Sequence, residues 1–374
     1  MNILLKGYYG FGNFGDDLLM LISYRMLKEK YPNSAITIYA NNNENLKEFN
    51  NEPKYNNYIF NILGEKVDLI DWTIRAHFDL VVEGGGGTYF DDKDSGWLYY
   101  LRNRLIGGIS FAILKKIDAN LRKIAKRKRK ITYNRRVALG IGIGPFSKSA
   151  KNLYSCLIEL ISSDACMVRD ESSFNLIGNL KYTHLGSDLA FCTNYWNDLF
   201  DQSAIHKPSK TIGFILKGDN TTFEQRILEL ALRLKKTGWK VRFFAFDDAI
   251  DKGYIDECKK LFSVDIWLPH SISLKKYISK LQKCSILLTE RAHGAIVGSI
   301  IGCVPYFITP SFKVNQILSF FKNTNLNNSM LLNEELNVQL INSLYEGILK
   351  SKELLKIDFK KNYHIVSNSI RLVL

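Results

Sequence analysis

The sequence lacks the marks of a secreted or membrane-spanning protein. Its six cysteines are scattered without CxxC spacing and most lie inside apolar runs, as is typical of reduced, buried thiols in the cytosol. No stretch approaches the roughly 20 apolar residues that a membrane-spanning helix needs. Residues 1–9 have no basic region followed by a long apolar segment, so they predict a first strand and not a signal peptide. We therefore expect a cytoplasmic protein.

Length and charge indicate two domains and an anionic partner. With 374 residues, of which 46% are hydrophobic, the chain exceeds one ordinary core. The formal net charge of +14 is concentrated in residues 115–136, where eleven Lys or Arg accompany one acid, Asp118. Such a cluster favours nucleic acid, an anionic bilayer or a polyanionic substrate as a partner, and a solvated helix face is the alternative.

Short apolar runs alternate with amphipathic stretches in both halves of the chain, on either side of a polar stretch at 193–210 that is typical of a linker. This alternation is the βαβ rhythm of parallel sheets covered on both faces. Strands are predicted at 2–7, 35–40, 78–83, 136–143, 165–168, 211–216, 240–246, 285–288 and 304–308, and helices at 17–30 and 223–236.

We predict an α/β protein with two Rossmann-like domains in a GT-B-like arrangement. Its active site is expected in the interdomain cleft, at the carboxyl ends of the strands. The predicted N-terminal domain, on the acceptor side, spans 1–195 with a basic and apolar insertion at about 96–136. The C-terminal domain, on the donor side, spans 209–332, and a helical tail covers 333–374.

Glycine-rich turns follow three predicted strands of the first half. The turn at 7–17 combines glycines with Asn13, Asp16 and Asp17; paired acids suit a helix start but repel an anion, which indicates a sugar-binding or closure loop, or simply a helix cap. The runs GGGG at 84–87 and GIGIG at 140–144 predict close packing at one edge of the sheet, against a ligand or within the domain.

The strongest single site is the run Glu290-Arg291-Ala292-His293-Gly294, which follows a predicted strand and opens an apolar helix. At that position a guanidinium, an imidazole and helix amides can converge on one anion. Lys217 ends another strand in a matching position. A lone histidine is usually structural, but the strand end, the helix start and the neighbouring arginine together favour a functional role.

These motifs together resemble the polysaccharide pyruvyl transferase family over most of residues 1–330. The resemblance rests on an ordered series: GNFGDD at 12–17, GGGG at 84–87, GIGIGP at 140–145, VRDESS at 168–173, GSDLAF at 186–191, RAHG at 291–294 and GCVP at 302–305. It implies transfer of pyruvate from phosphoenolpyruvate to two hydroxyls of a sugar, as a cyclic ketal, in the synthesis of exopolysaccharide, capsule or other cell-envelope glycan. It implies no metal or other cofactor, and an acceptor often carried on a polyprenyl diphosphate.

Carried over by position, His293 and Arg291 are the expected catalytic pair, with His293 as general acid or base. Expected donor-binding residues are Arg169, Lys217, Gly294 and Glu290. Expected acceptor-binding or loop residues are Asn13, Asp16, Asp17, Gly85, Gly86 and Asp188. Two departures from the family stand out: Ile141 replaces a frequent glutamine, which excludes a direct ligand role, and Lys217 replaces a frequent arginine, which weakens the case for bidentate anion binding.

Two other functions compete with this hypothesis. A GT-B glycosyltransferase that uses a sugar nucleotide would share the fold, and Glu290 would then serve a ribose. A non-catalytic module that binds nucleic acid or membrane through residues 115–136 would leave the glycine loops and RAHG unexplained, so no nucleic-acid partner is expected. The aromatic and apolar stretch at 96–114 followed by the basic run predicts peripheral attachment to the anionic inner face of the cytoplasmic membrane; a buried core helix with a solvated extension is the alternative.

Overall fold

The computed structural model contains two parallel β-sheets, each in its own compact unit. It describes residues 1–39, 52–70, 75–89, 131–144, 159–160, 162–178, 180, 182–205, 208–218, 221–308, 316, 336–350 and 359–374. Unit 1 comprises Met1–Phe11, Leu19–Cys192 and Tyr363–Leu374, and unit 2 comprises Gly12–Leu18 and Thr193–Asn362. In the described part of the chain, no helix is both long and apolar enough to cross a membrane.

The sheet of unit 1 has the strand order β3-β2-β1-β4-β6-β7-β8, and β5 pairs with β6. All pairs are parallel, with registers such as Ile3 opposite Leu80 and Val82 opposite Val137. The central strands are buried on both faces, as their continuous apolar sequences predict. The strands are β1 Asn2–Lys6, β2 Ala35–Tyr39, β3 Asp68–Ile70, β4 Ala76–Glu83, β5 Gly86–Tyr89, β6 Ile131–Ile143, β7 Ala165–Val168 and β8 Thr183–Leu185.

The sheet of unit 2 has the strand order β11-β10-β9-β12-β13, again all parallel. Its core includes Phe214 and Phe243, whose rings stack with centroids 5.0 Å apart. The strands are β9 Thr211–Ile215, β10 Lys240–Ala245, β11 Ser263–Ile266, β12 Ile286–Thr289 and β13 Val304–Phe307.

The helices pack their apolar side chains against the sheets. The nine-residue helix Ala292–Ile300, for example, has seven buried residues. The helices are α1 Phe14–Lys30, α2 Glu52–Leu63, α3 Glu171–Ile177, α4 Thr221–Lys236, α5 Asp248–Lys259, α6 Leu274–Leu281, α7 Ala292–Ile300, α8 Val338–Lys350 and α9 Phe359–Val373.

Several elements depart from the sequence prediction. Part of the GGGG run is not loop but the start of β5, where Gly86 pairs with Ile141. In place of an open linker, the described part of 193–210 contains three short 3-10 helices, Thr193–Tyr195, Asn197–Leu199 and Gln202–Ala204, and Trp196 is fully buried. Four short strands, β3, β5, β8 and β11, were not predicted, because three or four residues carry too little alternation to stand out.

The predicted insertion at 96–136 lies outside the described residues up to 130. Its last part, 131–136, is not insertion but the beginning of β6. There Arg136 is buried and paired with Glu83 on the neighbouring strand. Arg135 donates to the backbone carbonyls of Val373 and Leu374 at 2.7 and 3.0 Å. Neither arginine is therefore fully available to an external anion.

Candidate active site

In the sheet of unit 2, the strand order changes direction between β9 and β12, which makes this position a topological switch point. Along the chain, β9 leads to β10 and β11 on one side, whereas β12 leads to β13 on the other. In doubly wound sheets, ligands bind at the carboxyl ends of the two strands that flank such a switch point. Those ends lead directly into residues 216–218 and 290–294. The predicted donor residues of this half therefore flank the switch point.

Helix α7 begins just after β12, and no side chain caps its first amides. Arg291 is the N-cap residue, with extended backbone dihedrals and no side-chain capping hydrogen bond. The Thr289 hydroxyl accepts from the Arg291 amide at 3.0 Å. A Cβ at Gly294 would lie 2.9 Å from Ile215 Cδ1, so glycine lets the first turn approach the sheet. A helix start of this kind beside an arginine is suited to an anion.

Lys217 and Glu290 connect the two strand ends. Glu290 is buried, and its Oε2 accepts from the backbone amide of Lys217 at 2.9 Å. The next residue, Gly218, has a φ of 71°, and a Cβ there would lie 3.0 Å from the carbonyl oxygen of Ile250. Glycine is required because the turn after β9 passes close to α5 in a left-handed conformation.

Asp251 in α5, which was not among the residues predicted from the sequence, contacts Arg291. Its side chain is fully buried, and its Oδ1 pairs with Nη2 of Arg291. Its Oδ2 accepts from the backbone amides of Phe246 and Asp247 at 2.9 and 3.0 Å. Burial raises the pKa of Asp251 to about 6, and Arg291 opposes that shift. One carboxylate thus fastens the turn after β10 to the turn after β12, on either side of β9.

His293 packs against the first turn of α1. This turn lies in the segment Gly12–Leu18, which belongs to unit 2. A Cβ at Gly15 would lie 2.6 Å from Cγ of His293 and closer still to Nδ1. The amide of Phe14 donates to the carbonyl of Phe246 at 2.9 Å, and Asn13 forms a β-bridge with Asp247. The GNFGDD segment is therefore part of the surroundings of His293.

The polar residues of that segment hold its conformation. Asn13 Oδ1 accepts from the amides of Gly15 and Asp16 at 3.0 and 3.3 Å, which caps α1. Asp17 is buried, and its Oδ2 accepts from the indole Nε1 of Trp267 at 2.7 Å. A buried charge-assisted bond of this length fixes the first turn of α1 in place.

Arg169 and Asp188 form a separate buried cluster in unit 1. Arg169 Nη1 lies 3.5 Å from Asp188 Oδ2, and its Nε lies 3.6 Å from Oδ2 of Asp170. Asp188 Oδ1 accepts from the amide of Ala190 at 3.0 Å and caps a 3-10 helix. A Cβ at Gly142 would lie 2.6 Å from Arg169 Nε. The guanidinium thus fills the space above a glycine and is paired with two carboxylates.

The glycines of the GGGG run lie at the switch point of the first sheet, where β1 and β4 are neighbours. The amide of Gly84 donates to the carbonyl of Lys6 at 2.8 Å. A Cβ at Gly85 would lie 2.9 Å from Leu189 Cδ1, so the core of unit 1 packs onto it. Gly86 has a φ of 131°, a conformation that L side chains rarely adopt.

The structure therefore divides the predicted residues between two places. Unit 2 gathers Asn13, Asp16, Asp17, Lys217, Glu290, Arg291, His293 and Gly294; unit 1 holds Arg169, Asp188, Gly85 and Gly86. Asp251 carried one usable sequence signal, since it follows the predicted strand 240–246 in the run FDDAID. Within the described ranges, no group of three His, Cys, Asp or Glu side chains is arranged to hold a metal ion.

Comparison with known proteins gives one family and one fold. The model of the family described as polysaccharide pyruvyl transferase matches residues 13–311. No curated protein sequence matches the chain. The structure is similar to UDP-GlcNAc 2-epimerase from Methanocaldococcus jannaschii, with a TM-score of 0.53 and 13% identity, over 100% of this chain and 99% of the other.

A second similar structure is UDP-N-acetylglucosamine 2-epimerase from Rickettsia bellii, with a TM-score of 0.53 and 11% identity, over 100% and 95% of the two chains. At such low identity these likenesses concern the fold alone. They confirm the predicted fold class, an α/β protein with two Rossmann-like domains of the GT-B-like kind.

Proposed function

Since this chain belongs to the polysaccharide pyruvyl transferase family, we propose that it transfers pyruvate from phosphoenolpyruvate to two hydroxyls of a sugar, forming a cyclic ketal and releasing phosphate. The sugar would be part of a surface or capsular glycan precursor, often carried on a polyprenyl diphosphate. The observation that carries the proposal is the position of Arg291, His293 and the first amides of α7, which all lie at the switch point of the second sheet.

Phosphoenolpyruvate has two anionic ends, a carboxylate and a phosphate, and the site offers donors that suit them. Arg291 can bind one end in a bidentate manner. The first amides of α7 favour an anion through their N–H groups and the helix dipole. Lys217, at the end of the adjacent strand β9, supplies a second cation. We assign Gly294 and Glu290 to the same donor site, because they shape the turns that present these groups.

The chemistry begins with protonation of the methylene carbon of phosphoenolpyruvate, which gives the central carbon oxocarbenium-like character. His293 supplies this proton in the proposal, since histidine is the side chain that exchanges protons near neutral pH. One sugar hydroxyl adds to the central carbon, and phosphate leaves with the proton that this hydroxyl gives up. The second hydroxyl then closes the ketal, and its proton returns to the imidazole.

The balance of the reaction is simple. Two C–O bonds form at the central carbon, the bond from that carbon to the phosphate oxygen breaks, and the methylene becomes a methyl group. Phosphate carries away the oxygen, so no water, oxidant or metal ion enters the balance. Cations fixed in position by the protein would contribute to the rate because they orient the substrate and stabilise the leaving phosphate.

Other residues have supporting roles in the proposal. Asn13, Asp16 and Asp17 hold the first turn of α1 against His293, as their hydrogen bonds indicate. In unit 1, Arg169 pairs with Asp188, and the glycine run places Gly85 and Gly86 at the strand ends. We assign Asp188, Gly85 and Gly86 to the acceptor side and keep Arg169 as a further donor cation whose charge two carboxylates already offset.

The proposal is tested by incubating the protein with phosphoenolpyruvate and a crude lipid-linked glycan fraction while phosphate is measured. We expect phosphate release that depends on both substrates, and a product heavier than the acceptor by pyruvate minus one water. Parallel incubation with sugar nucleotides tests the rival glycosyltransferase. Consumption of a sugar nucleotide without phosphate release from phosphoenolpyruvate would replace the proposed function with that rival.

A further inference from the structure

We propose that Asp251 is a positioning residue for anion binding, whose carboxylate holds the guanidinium of Arg291 in the orientation that receives the anion. The inference rests on the proposed function, in which that anion is phosphoenolpyruvate. It assigns a role to a residue that lies 40 positions before Arg291, in helix α5, which follows a different strand.

The carboxylate of Asp251 is itself fixed. Its Oδ2 accepts from two consecutive backbone amides, those of Phe246 and Asp247, at 2.9 and 3.0 Å. Because these amides belong to the turn after β10, the carboxylate cannot rotate without breaking both bonds. Its Oδ1 therefore faces Arg291 as a rigid acceptor.

Arg291 is bound on one side and has donors left over. Its pairing with Asp251 uses Nη2, and its Nε makes no hydrogen bond within the described part of the chain. A guanidinium has five N–H donors in a fixed plane, so fixing one edge orients the rest. Without Asp251 the side chain would have to be ordered when the ligand binds, which weakens binding.

The pairing of Asp251 with Arg291 depends on pH because it requires an ionised carboxylate. The ionisable groups that act on Asp251 are Arg291, Asp247, Tyr254 and Tyr277. The tyrosine hydroxyls donate to the carbonyls of Phe244 and Ala245 at 2.8 and 2.7 Å and not to Asp251. Arg291 is the cation among these groups.

The sign of the pH effect follows from burial. Burial raises the pKa of Asp251 to about 6, so its carboxylate is ionised and holds Arg291 above that pH. As pH falls through 6, the carboxyl protonates and the ion pair is lost. The positioning effect should therefore be present at pH 8 and nearly absent at pH 5.

The test compares Asp251→Asn with wild type and with Asp248→Asn, the same change at an exposed acid in the first turn of the same helix. Dissociation constants of phosphoenolpyruvate and of inorganic phosphate are measured by titration calorimetry at pH 8 and pH 5. We expect Asp251→Asn to weaken binding about tenfold at pH 8, the effect of one charged hydrogen bond, and hardly at all at pH 5. Taking the ratio of variant to wild type at each pH cancels the titration of the ligand itself.

The outcomes separate this inference from the proposed function. Equal binding by wild type and Asp251→Asn at pH 8, or a loss as large at pH 5, overturns the role of Asp251 alone. Binding of phosphate but not phosphoenolpyruvate, with the expected pH-dependent ratio, supports Asp251 and overturns the proposed donor. Failure to bind either anion overturns both.

A second variant covers the case in which Asp251→Asn does not fold. Arg291→Gln leaves the Asp251 charge buried without its cation, which is costly only while the carboxyl is ionised. We expect its melting temperature to fall further below that of wild type at pH 8 than at pH 5. An equal difference at the two pH values would mean that Asp251 does not depend on Arg291.

Discussion

The imidazole of His293 occupies the space that a side chain at position 15 would need. Gly15 lies in the first turn of α1, where alanine is a better helix former than glycine by up to about 1 kcal/mol. Propensity alone therefore predicts that Gly15→Ala stabilises the protein, whereas the contact predicts that it displaces His293.

We expect Gly15→Ala to remain folded but to lose at least about 100-fold in turnover, since a displaced general acid works little better than an absent one. Gly253→Ala is the matched control: it lies inside α5, where a Cβ would meet its nearest neighbour at 3.6 Å. Melting temperature and the rate of phosphate release are measured for both variants and for wild type. Normal turnover by Gly15→Ala would show that the position of the His293 ring does not matter.

Arg291→Lys should weaken phosphoenolpyruvate binding more than it slows turnover. Lysine keeps the positive charge but loses the planar, two-pronged contact with a carboxylate or phosphate, and with it the fixed pairing to Asp251. Steady-state kinetics should give a KM for phosphoenolpyruvate raised about tenfold or more, with a smaller change in kcat. A reduced kcat at unchanged KM would assign Arg291 to the transition state and not to donor binding.

The hydrogen bond between Trp267 and Asp17 should contribute measurably to stability. Trp267→Phe keeps an aromatic ring next to Phe14 and Tyr277 but removes the N–H that Asp17 accepts. Because the acceptor is charged and buried, we expect a loss of about 1.5–3 kcal/mol in the free energy of unfolding.

The matched control for Trp267→Phe is the same substitution at Trp239. Trp239→Phe removes an indole N–H that donates to the neutral amide oxygen of Asn342 at 2.9 Å, so about 0.5–1.5 kcal/mol is expected. Urea unfolding of both variants measures the difference. A Trp267→Phe variant no less stable than Trp239→Phe would contradict the role given to Asp17.

The basic segment should bind anionic membranes through the nine Lys and Arg at 115–130, since Arg136 is buried in an ion pair. We expect vesicles containing phosphatidylglycerol to sediment the protein at low salt and to release it as salt rises. Replacing Arg127, Lys128 and Arg129 with glutamine should weaken this binding. Sedimentation that ignores lipid charge and salt would contradict peripheral attachment.

The sequence predicted the strands of both sheets wherever apolar runs were four residues or longer, because burial on both faces leaves a continuous signal. It also selected Arg291 and His293, since a strand end followed by a helix start is visible locally. The pairing of Asp17 with Trp267, 250 residues apart, left no local trace. Neither did the packing of His293 on Gly15 or the pairing of Asp251 with Arg291. Such contacts are set by which strand ends meet, and the topology of the sheet decides that.

Contacts between distant parts of the chain also determine which unit contains the GNFGDD turn. Its position in the chain, just after β1, favoured the first domain, yet Gly12–Leu18 groups with unit 2 by its contacts. The backbone bond from Phe14 to Phe246 and the ring contact between them, with centroids 4.6 Å apart, account for that grouping. A single sequence does not reveal which aromatic cluster Phe14 joins.

The role of His293 as proton donor is tested most directly by measuring phosphate release from phosphoenolpyruvate by wild type and by His293→Ala, with a competent glycan acceptor and at equal folded concentration. In the described part of the chain, no other histidine lies at the start of a helix that follows a strand directly, so no substitute proton donor is at hand. If His293 is the general acid, wild type releases phosphate in proportion to the ketal formed, and His293→Ala is slower by about 10²- to 10⁴-fold while melting near the wild-type temperature. Near-normal phosphate release by His293→Ala would contradict this role.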